Sequence, residues 1–197
     1  HIHDLSSLDS ITEITSNIST PDLVVANAGI GINGAAGKNT NENIEFANNL
    51  MFGGPIRLIE HYLPKMKERK SGRIVIISSI GALIPMPKSA IYAAVKSGIY
   101  AYGVSLNEEL RNDNISVTVS LPGYVQTNIH KRSGLEHLTK QIPSWMWVSS
   151  EQVVKETEIA SIKGYSKVIP GMLYRVASIF FNLKISKFIW KLMNGRK

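Results

Sequence analysis

The stretch Ser78–Lys96, SSIGALIPMPKSAIYAAVK, places a hydroxyl, a phenol and an ammonium at fixed separations. Thirteen residues part Ser79 from Tyr92, and four part Tyr92 from Lys96. Ser79 ends the apolar run RIVIISS (73–79), which reads as a strand, and Tyr92 and Lys96 fall in the helical pattern Ser89–Arg111. Residues four apart on a helix share a face, so the phenol and the ammonium are neighbours. An adjacent positive charge favours the phenolate, which predicts a lowered Tyr92 pKa and a phenol able to exchange a proton with a carbonyl or alcohol oxygen. Ser79, at the neighbouring strand end, is positioned to hydrogen-bond the same oxygen. The plain alternative is a solvated lysine beside a packed tyrosine.

Outward from this stretch, the chain alternates. DLVVANAG (22–29) and SVTVSLPG (116–123) are two further runs rich in β-branched residues, and KVIP (167–170) is a shorter one. Near-continuous apolar runs suit parallel strands buried on both faces. Between the first two strands, Asn43–Lys70 carries Ile44, Leu50, Ile56, Leu58, Ile59 and Leu63 and is predicted as one helix. Strands alternating with helices define an α/β fold, a doubly wound parallel sheet of Rossmann type. Asn27, Ser79 and Pro122–Gly123 close three separate strands, and ligands of such sheets bind outside the carboxyl ends. Each of these residues taken alone is also an ordinary turn former.

Composition excludes other classes. The 197 residues are 44% hydrophobic and 19% charged, the make-up of an ordinary folded chain. No cysteine is present, so thiol nucleophiles, cysteine metal sites and disulfides are excluded, and a reducing, cytoplasmic setting is expected. His1, His3, His61, His130 and His137 show no metal-ligand spacing. The net charge of +7 is confined to one end. From Ile159 onward there are eight Lys or Arg and no acidic residue, which leaves 14 basic and 15 acidic residues in the rest. No basic patch with a nucleic-acid recognition motif appears, so a nucleic-acid partner is not expected.

With these motifs on the page, the chain resembles the short-chain dehydrogenase/reductase family, from its first residues to about Pro170. The resemblance implies a Rossmann-type fold, NAD or NADP as cofactor, and a small carbonyl or alcohol substrate. HDL (3–5) resembles the family's acidic adenine-site motif, which implies Asp4 near the adenine. ANAG (26–29) resembles its Asn-Asn-Ala-Gly motif with Ala26 in the first position. That implies a cofactor-side loop at Ala28 and Gly29, and Asn27 supporting the sheet and the ribose. Ser79, Tyr92 and Lys96 match its catalytic positions, Lys96 also holding the nicotinamide ribose. PGYVQT (122–127) matches the segment in which Pro122 and Gly123 lead into Val125 and Thr127, the contacts to the carboxamide. A homo-oligomer is expected on the same ground.

Two departures qualify the resemblance. The family's opening strand, glycine-rich turn and helix have no counterpart, since GIGING (29–34) follows a later strand. A piece of a longer protein is expected, the alternative being a chain unable to hold a dinucleotide by itself. The family's fourth catalytic residue, an asparagine, falls on Met51, with Asn48 and Asn49 close by. Either a local irregularity of the helix presents Asn49, or the asparagine is missing; the second is favoured. These departures keep a rival reading open, a non-catalytic scaffold or interaction protein of the same fold.

In the long stretch after the PG motif, roughly Asn128–Val148, a loop would cover the substrate, and its Trp145, Met146 and Trp147 point to an apolar substrate or to core or interface packing. Residues 1–170 read as the domain and 171–197 as a basic amphipathic tail. In the tail, Ile185, Phe188, Ile189 and Leu192 share an arc opposite Lys184, Lys187 and Lys191. A peripheral membrane contact and docking on the body or a second subunit stand level as readings of that tail.

Overall fold

The computed structural model describes residues 3–32, 34–127 and 142–180. The tail face at 184–192 and most of the long stretch after the PG motif, 128–141, lie outside the described residues.

Four parallel strands form the main sheet: β1 (Leu23–Ala26), β2 (Gly72–Ile77), β3 (Ile115–Ser120) and β6 (Lys167–Val168), in the order β1-β2-β3-β6. The register pairs Val24 with Ile74 and Ile76 with Val119. A second pair, β4 (Tyr124–Val125) with β5 (Trp147–Val148), lies beyond the carboxyl end of β3. The helices are α1 (Leu8–Asn17), α2 (Asn41–Asn48), α3 (Gly54–Glu68), α4 (Ala90–Glu109), α5 (Ser150–Ile162) and α6 (Met172–Ile179).

Alternation along β3 sorts the layers. Val117 and Val119, with Ile74 and Ile76, face a core shared with Ile59, Leu63 and Met66 of α3 and Ile99 and Leu106 of α4. Gly103 lets α4 approach here, because a Cβ at that position would stand 2.4 Å from Val119 Cγ2. The opposite face of β3 is hydroxylic and meets α5 and the turn after it. Ser120 Oγ and Thr157 Oγ1 are 2.7 Å apart, Ser116 Oγ donates to the Ser161 carbonyl (3.1 Å) and Thr118 Oγ1 donates to the Tyr165 carbonyl (2.6 Å). With helices on both faces, the sheet is doubly wound. β1 departs from the expected two-sided burial: Val24 is buried while Val25 is 51% exposed, because only one of its faces meets the core.

The expected single helix over 43–70 is interrupted. Residues Asn49–Gly53 form a π-helical segment, in which the Gly54 N–H donates to the Asn49 carbonyl, five residues back. Two local facts explain the slip. Pro55 has no N–H to give the preceding turn, and Gly53–Gly54 allows close approach. At Gly54 a Cβ would lie 2.7 Å from both the Leu5 and Asn49 carbonyl oxygens. Phe52 then packs its ring on Gly98 of α4, locking the irregular turn against the helix that carries Tyr92 and Lys96.

Candidate active site

The carboxyl ends of β2 and β3 are stitched together: the Ser78 N–H donates to the Ser120 carbonyl (2.8 Å) and the Ile80 N–H to the Pro122 carbonyl (2.9 Å). This brings Ser79 beside the Pro122–Gly123 segment. Ser79 caps the short 3-10 turn Ile80–Ala82, its Oγ accepting from the Gly81 N–H at 3.1 Å. α4 starts after the turn at 85–89, and its first turns run past the end of β2. The Ser78 hydroxyl donates to the Lys96 carbonyl (2.8 Å) and fixes the contact.

Lys96 is 5% exposed, which removes the solvated-lysine alternative. Its Nζ donates to the Ile77 carbonyl at 2.9 Å and lies 6.0 Å from the centroid of the Tyr92 ring. Burial depresses its pKa from the ordinary lysine value to about 8. Tyr92 contradicts the expectation of a lowered pKa. Burial raises it, and a hydrogen bond with the Ser79 side chain offsets the rise only in part. Desolvation of the phenolate is the dominant cause, so the phenol is neutral at pH 7.

Other expected residues are placed unequally. Gly29, after β1, lies against this group: the point where it would carry a Cβ is 3.6 Å from Lys96 Nζ and 3.6 Å from Met51 Sδ. Ala28 packs on the cluster of Ala47, Leu50, Met51 and Val95. Asn27 is exposed, and among the described residues its side chain makes no hydrogen bond, so no sheet-supporting bond is seen. Asp4 is exposed and accepts from the Ser6 N–H (2.9 Å) and hydroxyl (2.7 Å); those bonds lower its pKa, and they serve a local turn. Val125 is half-buried and pairs with Val148, while Thr127 is exposed. The irregular turn that could present Asn49 exists, yet the residue in the asparagine position, Met51, is 1% exposed and turns its thioether toward Gly29. Among the described residues no cluster of three or more histidine or acidic side chains could hold a metal.

Tyr174 of α6 was not foreseen. Its ring lies where Gly123 would carry a Cβ, within 2.1–2.4 Å of that point, so only glycine fits there. Its hydroxyl accepts from the Tyr124 N–H (3.1 Å) and donates to the Met146 carbonyl (2.7 Å). Residues 171–180 thus pack with the domain rather than apart from it, helped by Glu156, which holds both Arg175 and the Gly171 N–H. The turn Ser144–Met146 buries Met146, leaves Trp145 60% exposed and sets Trp147 against the Tyr124 ring at 5.8 Å.

A doubly wound parallel sheet with a serine, a tyrosine and a lysine gathered at its carboxyl rim places the chain among Rossmann-type α/β proteins. The sequence profile of the short chain dehydrogenase family matches residues 3–137, and the chain belongs to that family. It is 37% identical over 117 residues to dehydrogenase/reductase SDR family member 7B of Rattus norvegicus, an overlap of 59% of this chain and 36% of that protein. It is 30% identical over 137 residues to 3-ketodihydrosphingosine reductase of Bacteroides thetaiotaomicron, covering 70% of this chain and 51% of the other. The chain therefore spans between about a third and a half of these relatives' lengths. Its fold matches a short-chain dehydrogenase from Sphingobium yanoikuyae in complex with NADPH, with a TM-score of 0.80 and 22% identity, over 96% of this chain and 73% of that one.

Proposed function

We propose that the chain carries the catalytic part of an NAD(P)-dependent oxidoreductase that interconverts a carbonyl and an alcohol. One observation carries the reading: a buried ammonium, Lys96, stands 6.0 Å from the ring centroid of a phenol, Tyr92, at the strand end that Ser79 closes. Burying a cation with a single carbonyl partner costs stability, and perturbed groups of this kind concentrate at functional sites.

The residues present fit a nicotinamide cofactor. An ammonium has three N–H donors, and Lys96 commits one, to Ile77, leaving two for hydroxyl acceptors such as a ribose offers. Lys96, Asn27, Ala28, Gly29, Pro122, Gly123, Val125 and Thr127 would hold the cofactor, with Asp4 toward the adenine. NADPH or NADP in related folds supports either form. When bound, the nicotinamide exchanges a hydride with the substrate carbon. In the reducing direction Tyr92 gives its proton to the substrate oxygen, a role that the raised pKa suits because the phenol is protonated at neutral pH. Ser79 Oγ hydrogen-bonds that oxygen, and the Lys96 charge stabilises the phenolate left behind. Trp145, exposed near the rim strands, supports an apolar substrate.

The test follows the absorbance of reduced nicotinamide, with NADH and NADPH, across a panel of apolar ketones and aldehydes. Turnover of at least one carbonyl is expected when the chain is part of a longer protein that supplies the glycine-rich opening unit. Cofactor binding with no turnover in either direction would favour the second reading, a non-catalytic relative, for which Met51 in the asparagine position is the specific support. Met51→Asn separates the two further. An amide in the apolar cluster of Ala47, Leu50 and Val95 is expected to destabilise by about 1–3 kcal/mol. With an amide restored to the asparagine position, kcat is expected to hold or rise. A loss of kcat beyond about tenfold in a folded variant would give Met51 a role of its own.

A further inference from the structure

The described part of the chain ends on a helix with two unlike faces. Tyr174 anchors α6 to the domain and is 2% exposed, while Met172 is 77%, Val176 49%, Ile179 72% and Phe180 50% exposed. At 100° per residue these four and Leu173 fall within an arc of about 120°, opposite Tyr174. No carboxylate interrupts the arc. On two other helices the exposed apolar residues differ in this respect: Val154 and Ile162 of α5 alternate with Glu151 and Glu158, and Ile44 and Phe46 of α2 with Glu42 and Glu45.

The sequence around α6 is as one-sided in charge as α6 is in polarity. The eight basic residues from Ile159 to Lys197 stand without one acidic residue, whereas the rest of the chain is near neutral. A second copy on this face would set two such cationic segments against each other. Folding residues 181–197 back onto the body would bring their cations to a surface with no matching negative excess. An apolar face followed in sequence by five cations and no carboxylate matches a surface that offers acyl chains and anionic headgroups together. We propose that the outer face of α6, with the basic residues that follow it in sequence, docks on an anionic phospholipid bilayer. The contact is peripheral: among the described residues no helix is long and apolar enough to cross a membrane.

The test is co-sedimentation of the full chain with phosphatidylcholine vesicles that do or do not contain phosphatidylserine. It reads lipid binding rather than turnover, so it stands or falls apart from the oxidoreductase reading. Binding is expected on the anionic vesicles only, weakening as salt screens the headgroups. The double variant Val176→Glu and Ile179→Glu should lower the apparent affinity at least tenfold, with its circular dichroism unchanged because both side chains are at the surface. The triple variant Lys184→Glu, Lys187→Glu and Lys191→Glu should do the same. Absence of binding at low salt, or equal binding to neutral vesicles, would overturn the proposal. So would unchanged binding of the double variant, or a loss of self-association by that variant with no effect on lipid, which would assign the face to a second copy.

Discussion

Tyr92→Phe is expected to lower kcat by about 10²–10⁴-fold, the usual contribution of a positioned proton donor. The substitution keeps the ring that packs beside Leu50, Met51 and Val95 and removes only the hydroxyl that reaches Ser79. Cofactor affinity, measured by quenching or transfer fluorescence, should therefore stay within a few fold of the parent. If kcat stays within tenfold, the proton comes from another group. The parent should also carry a pH signature. Lys96 is charged below its pKa of about 8 and neutral above it, so the reduction rate should hold at neutral pH and decline as pH rises through that value. A rate that climbs through the same window would remove Lys96 from the proton chemistry.

Replacing Lys96 itself should abolish activity and stabilise the fold. Lys96 titrates near 10.5 when free and near 8 in the folded chain. Between those values the unfolded chain binds more protons, so the folded state gains stability as pH rises, and at neutral pH the full cost of the buried charge is present. At 1.36 kcal/mol per unit that cost is about 3 kcal/mol. Lys96→Met removes it, fills similar volume and leaves the Ile77 carbonyl without its donor, a loss of about 1–2 kcal/mol. A net gain of about 1–2 kcal/mol is expected in urea unfolding at pH 7, alongside lost turnover. A variant less stable than its parent would mean that the ammonium stabilises this fold, and the account of Lys96 as a strained functional group would fall.

The strands and the serine–tyrosine–lysine group were legible because their signals are local: short apolar runs, and a four-residue helical offset from Tyr92 to Lys96. The direction of the Tyr92 pKa was not, since proximity to a charge can be read from spacing and burial cannot. The π-helical turn hid behind a plausible apolar period from Ile44 to Leu63, although Gly53–Gly54–Pro55 marks the one place where the ladder slips. α5 escaped notice for a different reason. Its inner face, Val153, Thr157, Ala160 and Ser161, is small and polar because it matches the hydroxyls of β3, so the usual stripe of large apolar residues is missing. Tyr174 carries no local signal, as Tyr124 and Met146 are 50 and 28 positions away.

The phenol of Tyr174 has a further consequence, for cooperativity. It fastens the strand segment after Gly123, the turn at Met146 and α6 at one atom, so none of the three can loosen alone. Withdrawing the ring frees the Tyr124 N–H and the Met146 carbonyl together, each at about 1–3 kcal/mol when it stays out of water, and opens a void over Gly123. The strand segment after Gly123 and α6 therefore belong to one unit of local unfolding. The Tyr124 amide is shielded from solvent hydrogen for as long as α6 stays seated.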